Sequence, residues 1–218
     1  LEFSEKCELD ATISSYFFGK ICESANLFNL ALSNPVELAY CLAFISANQE
    51  HSLIPKWVMM NYPKVDNIVR LLRNTPCGKC KYCKEQLNPT KYLRKYFGYP
   101  YFRKYNDEPL QENAVNAAVS HKSLLAIFPT GGGKSLTFQI PALMAGETEK
   151  GLTVVISPLQ SLMKDQVDNL EKKGIADAVT INGLLSPIER AEAIERVESG
   201  IASILYISPE SLRSVTIE

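Results

Sequence analysis

The run Ala126-Ile127-Phe128-Pro129-Thr130-Gly131-Gly132-Gly133-Lys134-Ser135 constrains this chain more than any other. An apolar segment at 124–128 leads into three consecutive glycines, and a helical pattern over 134–144 follows. Strand, glycine-rich loop and helix, in that order, are the setting of a phosphate-binding loop. Each residue has a task in such a loop. Gly131, Gly132 and Gly133 let the backbone curl until its N–H groups face phosphate oxygens, and the helix start adds the positive end of its dipole. Lys134 brings a full charge to the β- and γ-phosphates, and Ser135 brings a hydroxyl to Mg²⁺. The strict pattern asks for glycine where Phe128 stands. A plain glycine-rich connector is the competing reading.

The surroundings of the loop predict the fold class. From Gln111 onward helical and apolar strand-like segments alternate: a helix over 111–120, a strand over 124–128, a helix over 134–144, a strand over 152–156, an amphipathic helix over 159–172, a weaker strand over 178–181, a helix over 187–199 and a strand over 204–207. Ser186, Pro187 and Glu189 give the 187–199 helix a capping box with proline at its first position. Such alternation means an α/β fold with a parallel sheet covered on both faces. Residues 1 to about 76 read as helical. Asn34-Pro35-Val36-Glu37 marks a helix start with Asn34 as the cap, and Val65, Ile68, Val69 and Leu72 form one helical face after Pro63. His51 and Trp57 read as packing or surface residues. Residues 77–110 read as a turn-rich connector, with Asn88-Pro89 and 104–109 as loop signals.

Composition narrows the function classes. No apolar run approaches the ~20 residues of a membrane span, and the N-terminal residues lack the basic region of a signal peptide. A cytoplasmic location is expected. The chain has no initiator Met and stops just after a strand-like pattern, so it reads as an excised piece of a longer protein. The net charge of −1 conceals a basic stretch: from Cys77 to Tyr105 there are 8 Lys or Arg, 1 acid and 8 aromatics. Basic groups neutralise phosphates and flat rings stack on bases, while a solvated basic face over an aromatic core is the alternative.

Four blocks give the chain a family resemblance. Pro129–Ser135 followed by Gln139-Ile140-Pro141-Ala142 closely resembles the RecQ family of superfamily 2 DNA helicases, in which the position of Phe128 is commonly not glycine. Residues 157–167, beginning Ser157-Pro158-Leu159-Gln160-Ser161, look like helicase motif Ia, and 205–212 look like motif Ib. Phe97-Gly98-Tyr99-Pro100-Tyr101-Phe102-Arg103 with Gln111-Glu112 looks like the family's adenine-reading motif 0. The resemblance covers about residues 96–212. It implies part of the first RecA-like lobe, occupying 91–218, of a motor that uses ATP and Mg²⁺ to move 3′ to 5′ and unwind DNA in recombination or repair. Tyr99, Arg103, Gln111 and Thr130–Ser135 are then the expected nucleotide contacts, with Lys134 and Ser135 the catalytic ones. Gln111 can donate to and accept from an adenine edge, and Tyr99 and Arg103 can sandwich the base. The family sets about two residues between its Arg and its Gln, whereas 104–110 intervene here, so Gln111 is the firmer of these expectations. Ser157, Pro158, Gln160 and Ser161 are expected against a DNA backbone, with single strands and duplex junctions as partners. The acidic motif II and the second lobe do not occur within residues 1–218, so nucleotide binding without helicase-rate turnover is expected of these residues alone. A nucleotide-dependent binding module without unwinding is the other function class.

The six cysteines do not read as a disulfide framework in a chain without a secretion signal. Cys77, Cys80 and Cys83 are spaced C-x-x-C-x-x-C, which suits three thiolate ligands of a metal. The segment also looks like the zinc-binding turn of RecQ proteins, where it follows the motor; here it precedes it. Zn²⁺ is expected, with an iron–sulfur cluster or free thiols as alternatives. Cys41, the nearest cysteine upstream, is the expected fourth ligand; His51, Cys22 or a residue elsewhere can also fill that place. Residues 1–90 are thus expected to be a helical accessory segment ending in a metal-binding turn.

Overall fold

The computed structural model describes residues 11–47 and 54–211, and these divide into two compact units. One comprises the described residues up to Asn88 together with Val119–Lys122; the other comprises Pro89–Ala118 and the described residues from Ser123.

The first unit is helical. Its core is made by Phe17, Ile21, Leu27, Leu38, Cys41, Ile45, Val58 and the inner face of helix Lys64–Arg73, where Val65, Ile68, Val69 and Leu72 are all buried as their spacing predicts. Helix Pro35–Ala47 begins where the proline signals it; just before it, the Asn34 backbone carbonyl accepts from Leu38 N–H at 2.9 Å and Asn34 Oδ1 from Lys64 Nζ at 3.1 Å. His51 lies outside the described residues. Trp57 is 56% exposed and meets the ring of Tyr40 edge-on. The expected connector contains two helices, Lys81–Gln86 and Pro89–Phe97. Pro89 opens the second by its pre-set φ, so Asn88-Pro89 is a helix boundary rather than the middle of a loop.

The second unit holds three parallel strands in the order β1–β3–β2: β1 is Thr153–Ile156, β2 Ala178–Ile181 and β3 Ile204–Ile207. Thr153 faces Ile204 across one ladder and Ala178 faces it across the other. Helices Gln160–Glu171 and Pro187–Glu198 connect the strands, and helix Leu136–Glu149 also packs against β3. β3 is buried at every position because strands flank it on both sides; β1 alternates, with Val154 and Ile156 exposed. The Ser186–Glu189 capping box is present in both halves. This is part of a RecA-like α/β arrangement.

One expected strand does not form. Residues 124–128 lie outside the described ladders, with Leu125 87% and Ile127 82% exposed. An apolar run becomes a strand only where a neighbour accepts its backbone hydrogen bonds, and it pairs with none of the three described strands.

Candidate nucleotide site

The glycine loop of the second unit is held by its carbonyls. Three successive ones each accept from a side chain outside the loop: Gly131 O from Arg103 at 2.9 Å, Gly132 O from the Tyr105 hydroxyl, and Gly133 O from Gln111 Nε2 at 2.9 Å. Inside the loop, Gly132 N–H turns back to Pro129 O at 3.0 Å. Gly133 sits at φ +70°, which favours glycine, and a Cβ there would lie 2.6 Å from Gln111 Nε2, so a side chain would displace the Gln111 amide. Ser135 stands just before helix Leu136–Glu149 and makes no side-chain capping bond. Lys134 is exposed, and its Nζ reaches the Phe128 carbonyl at 3.4 Å. Thr130 is exposed at the start of the loop.

Gln111 is 2% exposed and bonded at both ends of its amide: Oε1 accepts from Arg103 N–H at 2.9 Å while Nε2 holds Gly133. Each amide atom keeps one further hydrogen-bonding position. The seven residues between Arg103 and Gln111 do not carry the two apart. Tyr105 and Glu108 pair as the base of a tight turn, with Asn106 and Asp107 in the left-handed region at φ 48° and 64°. That turn is compact and returns the chain to helix Leu110–Val119, whose second residue is Gln111.

Beside the loop lies a cavity of about 490 Å³, bounded by Phe97, Tyr99, Arg103, Gln111, Gly133 and Lys173 among others. Lys173 Nζ is 5.9 Å from the ring centre of Phe97 and 6.0 Å from that of Tyr99. The aromatic stretch therefore has two fates. Tyr92, Phe97 and Phe102 are buried in this unit, whereas Tyr99 and Tyr101 are exposed at the cavity. A further cluster fixes helix Pro89–Phe97: Glu147 accepts from Tyr92 at 3.0 Å, from Lys95 at 2.5 Å and from the Tyr96 hydroxyl. Burial raises the Glu147 carboxyl, but the bonds from Lys95 and Tyr96 outweigh it and hold the group below its ordinary range.

The motif Ia residues lie at the end of β1. Ser157 N–H donates to Ile207 O at 3.0 Å, and the Ser157 hydroxyl accepts from Leu159 N–H at 3.4 Å. Pro158 and Ser161 are exposed and Gln160 is half-buried at the start of its helix. Gln139, after the glycine loop, donates to Gln166 at 3.0 Å and to the Tyr206 hydroxyl at 3.3 Å, joining three of the matched blocks. Leu212 of motif Ib lies outside the described residues.

In the helical unit Cys22, Cys77, Cys80 and Cys83 come together, their sulfurs all within 4.8 Å of one another. Cys41 is not among them. It is buried in the helical core, donates to Val65 O at 3.4 Å and is pushed up to about 12 by burial; the fourth cysteine of the group is Cys22 instead. The Cys77 thiol is drawn down to about 6, first by the Cys80 N–H and then by that of Lys79; burial pushes Cys83 up. One residue escapes the sequence reading: Tyr105 gives no signal except its place in the intervening turn. Cys22 stands there only as an alternative to Cys41, one of several isolated cysteines.

Comparison with known proteins fixes the family. The DEAD/DEAH box helicase family matches residues 108–218. The chain is 46% identical over 123 residues to the ATP-dependent DNA helicase RecQ of Bacillus subtilis, a match covering 56% of this chain and 19% of that protein. It is 43% identical over 120 residues to the RecQ of Haemophilus influenzae, covering 55% and 18%, and 40% identical over 121 residues to the ATP-dependent helicase SGS1 of Saccharomyces cerevisiae, covering 55% and 8%. The matches thus span a fifth or less of each of these relatives' length. Among the described residues no helix is long and apolar enough to cross a membrane. With the glycine loop, the parallel sheet and these matches together, the chain belongs to the DEAD/DEAH box helicase family and is RecQ-like within it.

Proposed function

We propose that this chain carries the ATP-binding part, and some of the DNA-binding surface, of a RecQ-like ATP-dependent DNA helicase working 3′ to 5′ in recombination or repair. The observation that carries this reading is the glycine loop at the edge of the cavity, opening directly into a helix, with Gln111 buried against it. On this reading Lys134 and the loop N–H groups take the phosphates, Ser135 takes Mg²⁺, and Thr130 lines the entrance. The cavity receives the base. Tyr99 and Arg103 flank it, and the remaining donor and acceptor positions of Gln111 meet the adenine edge. Bound ATP supplies the phosphoryl group and Mg²⁺ the charge that offsets it. Ser157, Pro158, Gln160 and Ser161 contact a DNA backbone, of single strands and of duplex junctions. The helical unit, residues 1 to about 90, serves as an accessory segment, and Zn²⁺ is the ion for its four thiols. A cytoplasmic location goes with the reading.

Calorimetric titration of Mg·ATP tests it. The wild-type protein binds, and Lys134→Ala binds at least tenfold more weakly while keeping its circular dichroism spectrum. Equal affinity in a folded variant overturns the assignment. Where these residues drive DNA-stimulated phosphate release, the same substitution abolishes it.

A further inference from the structure

The cysteine group lies outside the motor, and its geometry is informative without reference to nucleotide. Cys22 follows the first described helical stretch; Cys77, Cys80 and Cys83 are 55 to 61 residues further on, in the turn that opens helix Lys81–Gln86. Cys77 Sγ lies 3.7 Å from Cys83 Sγ, which lies 3.5 Å from Cys22 Sγ. A disulfide needs about 2.05 Å. Thiolates around one tetrahedral ion at about 2.3 Å stand about 3.8 Å apart, close to the spacing found. A four-iron cubane would interpose its irons and sulfides and spread the thiolates more widely.

The donors around the sulfurs fit the same ion. The N–H groups of Cys77, Cys80 and Cys83 each point at a sulfur of the group, reaching Cys83, Cys77 and Cys80 respectively at 3.4 Å. The Ser24 hydroxyl lies 3.0 Å from Cys22 Sγ. N–H donors directed at sulfur suit thiolates, and they form the supporting layer that orients metal ligands. Cys22, Cys80 and Cys83 are buried, where four ligand sulfurs gathered without an ion would place like partial charges together. Lys79, Lys81 and Lys84, exposed on the same turn, offset the negative charge that four thiolates leave over a divalent ion.

We propose that Cys22, Cys77, Cys80 and Cys83 form a closed tetrathiolate site for one Zn²⁺ that fastens the cysteine turn to the helical core. The protein fills all four positions and leaves none open, so the site is structural rather than catalytic. What it fastens is visible in the backbone. Cys22 N–H donates to Leu72 O at 2.7 Å, at the end of the core helix Lys64–Arg73, and the Tyr82 hydroxyl donates to Arg73 O at 2.7 Å from the turn. The ion joins these two attachments into one knot. The assignment makes Cys22 the fourth ligand and excludes Cys41, and it stands or falls independently of ATP binding.

Elemental analysis of protein made without chelators tests it, with Cys22→Ser and Cys41→Ala beside the wild type. About one zinc per chain is expected in the wild type and in Cys41→Ala, with loss of most of it in Cys22→Ser. Zinc retained by Cys22→Ser, or lost selectively in Cys41→Ala, overturns the assignment, as does iron with acid-labile sulfide in the wild type. Should Cys22→Ser fail to fold, Co²⁺-exchanged wild type decides. Its thiolate charge-transfer and ligand-field bands should report a tetrahedral ion with four sulfurs, and a three-sulfur spectrum overturns the proposal.

Discussion

The chain contains two tight loops that solve opposite electrostatic problems, and they are held in opposite ways. In the cysteine turn the backbone N–H groups face inward, onto the turn's own sulfurs. In the glycine loop the outside contacts fall on carbonyls, at Gly131, Gly132 and Gly133, and come from Arg103, Tyr105 and Gln111. The difference follows from the ligand each loop suits. A cation site must gather negative groups, and N–H donors spent on the sulfurs stabilise that gathering. An anion site keeps N–H groups for the ligand, so side chains from outside the loop grip it by the carbonyls, and among the described residues only Gly132 N–H turns back within the loop. The first loop is shaped from within, the second by side chains from a separate stretch of chain. Substitution should therefore affect them differently.

Glycine is the sharpest probe of that contrast. Gly78 and Gly133 have nearly the same φ, at +72° and +70°, so alanine costs each roughly 1–2 kcal/mol of left-handed strain. At Gly78 nothing lies within 4 Å of the new Cβ, whereas at Gly133 it meets Gln111 Nε2 at 2.6 Å. Gly133→Ala is expected to expel the Gln111 amide and weaken ATP binding by tenfold or more, the largest effect predicted for this loop. Gly78→Ala should cost only a little stability and leave the metal content unchanged. Titration calorimetry and elemental analysis on the pair check both halves. Equal losses of function at the two glycines would mean that the grip from outside does not matter.

Gln111→Ala comes next. The variant loses the hold on Gly133 O, the bond to Arg103 N–H and the proposed adenine contact together. Unsatisfied buried partners cost about 1–3 kcal/mol, so ATP affinity should fall by roughly ten- to a hundredfold. GTP affinity should fall less, because only the loss of the grip on the loop applies to it. If both nucleotides weaken equally, Gln111 shapes the loop and does not read the base.

The contrast also explains what the sequence made legible. The capping box at Ser186 and the strands at 178–181 and 204–207 depend on local pattern, and the structure has them where the residues say. The segment 124–128 carries as apolar a pattern as β3 but finds no ladder among the described residues, since pairing is decided by neighbours rather than by the run itself. Cys77, Cys80 and Cys83 stand out by spacing because their loop is local. Their companion does not: Cys22 and Cys41 look alike in sequence, and only the packing of the core helix brings Cys22 to the turn while burying Cys41 among apolar side chains. Tyr105 was invisible for the same reason, since its partner lies 27 residues away.

Tyr105→Phe is the smallest of the predicted effects and the most discriminating. The ring packs against Phe128, 5.3 Å between centres, and phenylalanine preserves that contact. Only the hydroxyl is removed, and with it the bond to Gly132 O. A single neutral hydrogen bond contributes about 0.5–1.5 kcal/mol, so the unfolding midpoint should fall by a few degrees and ATP affinity by less than tenfold. Two neighbouring carbonyls remain held, by Arg103 and Gln111, so the loop should not collapse. Tyr105→Ala, which removes the ring as well, should cost clearly more by thermal denaturation. The informative alternative is a gain. Lys134 here reaches back to Phe128 O, and if the Tyr105 bond holds the loop in a form that nucleotide must open, Tyr105→Phe would bind ATP more tightly than the wild type. That result would reverse the sense of the outside grip, from shaping the loop for its ligand to restraining it, and titration of wild type and variant under identical Mg²⁺ would show it directly.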